Sequence, residues 1–135
     1  MSDNWSNNYL LDIPIIDEQH RLFFELWENE CNNVSINDLE KLKELINKLE
    51  SYLINHFNTE EELMKKANVS DYDNHVSQHR YFIKKIDELK LEFDYANVML
   101  FENIVNFMKK WFLSHILQTD KLYKESVHNY LTNLQ

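Results

Sequence analysis

The 135-residue chain contains no glycine, a single proline (Pro14) and a single cysteine (Cys31). Glycine supplies the positive φ angles of tight hairpin turns, so its absence argues against a sheet-rich fold built on such turns. It also excludes P-loops and dinucleotide fingerprints, which need glycine where backbone approaches phosphate. One cysteine permits neither an intrachain disulfide nor a thiolate zinc cluster. With no histidine or basic cluster beside it in sequence, Cys31 reads as a small, partly buried residue rather than a reactive thiol. Basic residues are in the minority: 14 Lys and Arg against 23 Asp and Glu, for a net charge of −9. That balance offers no basic face for nucleic acid. No apolar run approaches the roughly 20 residues that span a bilayer. The segment from Met1 to Tyr9 is polar and lacks Lys and Arg, unlike a signal peptide. The expectation is a cytoplasmic protein with neither a nucleic-acid nor a membrane partner.

The length suits one domain with one core. No internal repeat, low-complexity tract or linker was found to divide it. Four stretches carry helical periodicity. The first, about Ile15 to Cys31, puts Ile16, His20, Phe23 or Phe24, and Trp27 on one stripe. The second opens after Asn37, read as its N-cap, and carries Leu39, Leu42, Ile46, Leu49, Leu53, His56, Glu60 and Leu63 at alternating spacings of three and four. The third begins near Asp71 with His75, His79, Phe82, Ile86, Leu89 and Phe93. The fourth begins near Asn97 with Phe101, Ile104, Met108, Trp111 or Phe112, and His115. The breaks at Asn32–Ser35, Asn68–Ser70 and Asp94–Asn97 are short and polar, with Asn or Asp supplying turn chemistry. Short connections force neighbouring helices antiparallel, which predicts an all-α, up-down-up-down four-helix bundle over 15–120. An extended arm (1–14), pinned by Trp5 and Leu10, and a short helical tail (121–135) complete the expected single domain.

Polar residues then appear on the wrong stripe. His20, His56, His75, His79 and His115 each continue an apolar seam, as does Glu60, whereas His128 lies in the tail. Burying one unpartnered polar group costs roughly 2–7 kcal/mol, and a whole domain is stable by only about 5–15 kcal/mol. Six such groups must therefore be bound by something, and a metal is the simplest candidate. Chance alone places roughly 0.3 His pairs four apart in a chain of this composition, so His75–His79 by itself says little. The signal is the placement of all members on core seams. Spacing of four stacks His75 over His79, and His56 over Glu60, on one helix face. Imidazole and carboxylate without sulfur suit iron, zinc, copper or manganese. Five imidazoles exceed the needs of one tetrahedral zinc, and a dinuclear centre is the natural fit in a bundle core. Asp120 lies five residues after His115, about 140° off the seam. From spacing alone it is either a solvated acid or, if the helix loosens near Gln118 and Thr119, a further ligand. Glu61 and Glu62 fall off the seam and read as solvated, as do Lys65–Lys66 and Lys109–Lys110.

His20 in Ile16-Asp17-Glu18-Gln19-His20, then His56-Phe57-Asn58-Thr59-Glu60, His75-x-x-x-His79, and His115-Ile116 followed by Asp120 together resemble the hemerythrin family. The likeness is strongest to its bacterial single-domain members and covers Trp5 to Tyr123. It implies a non-haem di-iron centre with an oxo or hydroxo bridge. His75, His79 and His115 would bind one iron, His20 and His56 the other, and Glu60 and Asp120 would bridge both. Such a set fills all but one position on two octahedral ions, leaving a vacancy beside the two-histidine iron. The resemblance implies reversible binding of O₂ there, and of NO or other small anions at the same position.

Phe57, Trp111, Phe112 and Ile116 match pocket positions of the family. Phe112 stands where an aliphatic residue is common, so its ring is expected to narrow ligand entry. The usual glycine is missing from Leu11-Asp12-Ile13, and the usual Tyr-Pro after the second helix is absent. Ferritin-like di-iron sites are richer in carboxylates. Five neutral imidazoles favour a binder of O₂, for carriage, storage or delivery, over an enzyme that cleaves it. The alternatives are a sensor of O₂, NO or redox state, a di-iron peroxide- or NO-reducing enzyme, and a metal-buffering or purely structural bundle.

Overall fold

The computed structural model describes residues 9–35, 38–93 and 99–134. Four long helices follow one another: α1 (Pro14–Asn33), α2 (Leu39–Lys66), α3 (Tyr72–Glu92) and α4 (Leu100–Gln118). A 3₁₀ turn, Asp120–Tyr123, and a short helix α5 (Lys124–Thr132) complete the chain. This is the expected four-helix bundle with a helical tail. The Trp27 indole on α1 donates to the Val105 carbonyl on α4 at 3.3 Å, tying the first helix to the last.

Local chemistry explains the helix ends. Pro14 begins α1, where its missing N–H costs nothing. The Asp38 carboxylate caps α2 by accepting from the Lys41 amide; the sequence-based N-cap, Asn37, lies outside the described residues, as do Trp5 and the break at 94–97. The α2 terminus does without glycine. Asn68 takes the left-handed conformation, φ 54°. Its amide donates to Lys65 and that of Val69 to Met64, while the Val69 and Met64 side chains are both buried. This is a Schellman ending, with Asn in the place glycine usually holds. Asp12, φ 59°, makes the other left-handed turn, within Leu11-Asp12-Ile13; Asp tolerates that region better than most residues.

The arm is pinned differently from expectation. Leu10 is exposed, and the anchors are Leu11 and Ile13, both completely buried. Polar and apolar patterning alone could not rank these neighbours, because the turn at Asp12 decides which side chains face inward. The Asp17 carboxylate holds the turn by accepting from the Leu11 and Ile13 amides at 2.8 and 3.2 Å.

Two apolar clusters form the interior. The larger unites the four helices through Phe23, Leu49, Leu53, Phe57, Phe82, Ile104, Met108 and Phe112. The smaller joins the arm and tail to the bundle through Leu11, Ile13, Ile16, Met64, Val69, Tyr123 and Val127. Cys31 is half-buried against the larger cluster, with its thiol pushed up to about 12 by burial and the Glu30 charge. Lys109 corrects a sequence reading: it is buried, and its ammonium lies 4.2 Å from the centre of the Trp27 ring. Its stem covers apolar surface while the charge meets the indole face. Among the described residues, no helix is long and apolar enough to cross a membrane.

Candidate metal centre

Seven side chains converge inside the bundle: His20 from α1, His56 and Glu60 from α2, His75 and His79 from α3, His115 from α4 and Asp120 from the 3₁₀ turn. All are at most 4% exposed, and Asp120 is completely buried. Asp120 reaches the seam because α4 ends at Gln118 and, after Thr119 at φ −106°, a separate 3₁₀ turn begins at Asp120. Past that break the fixed 100° per residue of a regular helix no longer decides where its side chain points.

The donors fall into two groups that share both carboxylates. One group holds His75, His79 and His115, the other His20 and His56. Glu60 turns Oε1 toward His75 and His79 (3.1 and 2.9 Å) and Oε2 toward His56 (3.5 Å). Asp120 turns Oδ1 toward His75 and His115 (2.9 and 3.1 Å) and Oδ2 toward His20 (3.3 Å). Each carboxylate thus divides its oxygens between two adjacent positions, as a bridging ligand does. Neither Asp120 oxygen has a hydrogen-bond partner among the described residues; what faces them is imidazole Nε2.

Neutral rings alone cannot account for this packing. The His79 Nδ1–H donates to Glu61 Oε2 (2.8 Å), and the His115 Nδ1–H donates to Gln78 Oε1 (3.0 Å). The Thr119 hydroxyl donates to that same Gln78 oxygen at 2.8 Å. In the neutral rings the only hydrogen is therefore on Nδ1. Yet His79 Nε2 and His115 Nε2 stand 3.0 Å apart, lone pair toward lone pair. A cation between them removes the conflict. Metal–imidazole bonds of about 2.1 Å at right angles put two nitrogens about 3.0 Å apart, against about 3.4 Å at a tetrahedral angle. The His115–His75 and His20–His56 Nε2 separations are also 3.0 Å. The residues fit six-coordinate ions bound through nitrogen and oxygen.

The same groups set their own protonation when no ion competes. Burial lowers the His20 imidazole, but Asp120 and Glu60 outweigh it and raise the pKa to about 9; His75 rises to about 9 for the same reasons. Burial holds His56 below its ordinary value. Burial pushes the Glu60 carboxyl up, yet His20, His56 and His75 together bring it well below the usual range, and Asp120 is likewise lowered.

Aromatic rings enclose the site. Phe57 stacks on His79 (4.0 Å between centres, 8°), Trp111 on His115 (4.5 Å, 12°) and Tyr123 on His75 (5.4 Å, 23°). Phe112 presents its edge to the other group, 5.2 Å from His20 and 5.7 Å from His56. Ile116 is fully buried in the larger cluster. His128 is exposed in α5, away from the seven.

Sequence reasoning missed the supports around these donors. Gln19 accepts from the His56 Nδ1–H at 2.7 Å, Gln78 serves His115, and the Tyr123 hydroxyl donates to Glu60 Oε2 at 2.8 Å. Glu61, read as solvated, is instead the acceptor for His79. A signal was present for the two glutamines. Gln19-His20-Arg21-Leu22-Phe23 on α1 is echoed by Gln78-His79-Arg80-Tyr81-Phe82 on α3, and in each case the partner histidine follows 36 residues after the first, at His56 and His115. Each hairpin, α1–α2 and α3–α4, thus carries the same short motif at the same distance from its second histidine. The register sets Ile16 against His75, four residues before His20 and His79 respectively. That single difference leaves one half of the centre with two imidazoles and the other with three.

A family model for the hemerythrin HHE cation-binding domain matches residues 11–127. The chain belongs to the hemerythrin family. It is 28% identical over 124 residues to a bacteriohemerythrin of Clostridium acetobutylicum, covering 88% of this chain and 96% of that one. A bacteriohemerythrin of Stenotrophomonas maltophilia shares 28% identity over 127 residues, covering 94% and 82%. A hemerythrin-like protein of Naegleria gruberi shares 30% over 121 residues, covering 90% of each. The matched span contains every one of the seven hemerythrin-type donors described above, and it implies that iron is the cation.

Proposed function

We propose that the chain holds two iron ions, bridged by oxo or hydroxo, and binds O₂ reversibly in the cytoplasm, for carriage, storage or local delivery. The observation that carries this reading is the division of both carboxylates between a three-imidazole and a two-imidazole group. A pair of ferrous ions there would supply the electrons and the one open position that a diatomic ligand needs; NO and small anions would compete for it.

The side chains do the rest. Gln19, Gln78 and Glu61 hold His56, His115 and His79 in the tautomer that aims Nε2 inward. Tyr123 steadies Glu60 from the tail side. The rings of Phe57, Trp111 and Phe112 exclude water from the donors. Phe112 is the ring set against the two-histidine group, so it controls approach to that side. Five neutral imidazoles stabilise high iron oxidation states less than a carboxylate-rich set would, which favours binding over turnover of O₂.

Metal analysis combined with absorption spectra of the reduced protein, before and after O₂, tests the proposal. Two irons per chain and a visible band that appears with O₂ and disappears on its removal are expected. One metal ion per chain, or steady consumption of O₂ with reductant, would replace it with a different function.

A further inference from the structure

Among the ring supports described above, two are neutral amides and one is a carboxylate. Gln19 on His56 and Gln78 on His115 are matched amide acceptors at 2.7 and 3.0 Å. Glu61, directly after the bridging Glu60, accepts from His79 Nδ1 at 2.8 Å. The Glu61 side chain is 21% exposed, so its charge acts from the rim of the core rather than from open solvent. Phe57, stacked on His79, prevents that ring from turning away from Glu61.

We infer that Glu61 is a positioning residue whose charge makes the three-histidine position bind metal more tightly, and hold it more electron-rich, than a neutral acceptor would. A hydrogen bond to an ionised acceptor is roughly twice as strong as one to a neutral amide. Drawing the proton of His79 Nδ1 toward a carboxylate raises the basicity of Nε2, the atom that faces the ion. Gln78 gives His115 the same orientation without the charge. With one more imidazole and this charged acceptor, the three-histidine position fills first as metal is added, and the charge makes its ion easier to oxidise than an amide in its place would. This inference rests on the two metal positions of the proposed function but not on O₂ binding.

The test is stepwise loading of metal-free full-length protein with Co²⁺ against a chelator, for wild type, Glu61→Gln, Glu61→Ala and the exposed control Glu62→Gln. Midpoint potentials of the iron-loaded forms accompany it. Glu61→Gln keeps an acceptor and removes the charge. It is expected to weaken the tighter Co²⁺ equivalent by roughly 10–100-fold, leave the weaker one within about threefold, and raise the potential, while Glu62→Gln matches wild type. Wild-type behaviour of Glu61→Gln overturns the inference, even if Glu61→Ala is impaired, since the acceptor and not its charge would then suffice. Equal weakening of both equivalents also overturns it, as the mark of a general structural defect. If cobalt loading responds as expected but the iron-loaded protein ignores O₂, the O₂ reading fails and this inference stands.

Discussion

Removing the metal should invert the response of this protein to alkali. In the metal-free bundle, His20 and His75 are fully buried against Glu60 and Asp120, and their pKa values rise to about 9 from 6.5. A histidine raised on folding contributes stability that is complete below about pH 6.5 and is lost as pH climbs through 9. Each shift of 2.5 corresponds to about 3 kcal/mol at 1.36 kcal/mol per pH unit. Because the two rings share the same carboxylates, their joint contribution is below twice that, about 3–6 kcal/mol. For a domain of this size, one kcal/mol moves the melting temperature by about 4 °C. The metal-free protein should therefore lose on the order of 10–20 °C between pH 6.5 and 9.5.

The loaded protein should behave oppositely. Its imidazoles must be neutral to bind, so alkali in this range costs it little, whereas mild acid releases the metal. Thermal melts from pH 5 to 9.5, with and without a chelator, read both curves. Asp120→Asn, which removes one of the two carboxylates, should reduce the metal-free decline by about half. Parallel curves for the loaded and metal-free protein, or a flat metal-free curve, would refute the reasoning.

Three further outcomes follow from the same contacts. His79→Ala should lose iron on purification while His128→Ala, altered on the surface, keeps it; equal iron content in the two by metal analysis would count against the assignment. Phe112→Leu should speed ligand entry and autoxidation in stopped-flow experiments, at a cost of about 1 kcal/mol from lost packing. Asn68→Gly should raise the melting temperature by a few degrees, since glycine carries no penalty at φ 54°, whereas Asn68→Val should lower it.

Much of the site was legible because buried polar residues on a helical seam are costly, and cost leaves a pattern. His20, His56, Glu60, His75, His79 and His115 announce themselves by periodicity alone, since each occupies a place that an aliphatic residue would fill without penalty. The absence of glycine pointed to helices, and the short polar breaks to antiparallel ones. The two left-handed turns, at Asp12 and Asn68, are made by residues that tolerate them. The near-repeat of Gln-His-Arg-x-Phe was equally present in the sequence, and it announced Gln19 and Gln78 beside the donors.

Other features depend on how the chain closes in space. Asp120 joins the centre because α4 breaks after Gln118 and a separate 3₁₀ turn begins at Asp120, whereas a regular helix would have turned it away. Glu61 lies off its own helix seam yet meets His79 across the groove to α3, a contact that no spacing within α2 encodes. Lys109 lies over Trp27, and Leu11 rather than Leu10 faces inward, for the same kind of reason. Periodicity along one helix reports which face is buried, whereas the partner of a side chain on that face is set by the neighbouring helix. The sequence by itself therefore determined the bundle and the imidazoles within it, and the tertiary structure alone decided how two carboxylates are shared and which acceptors aim the rings.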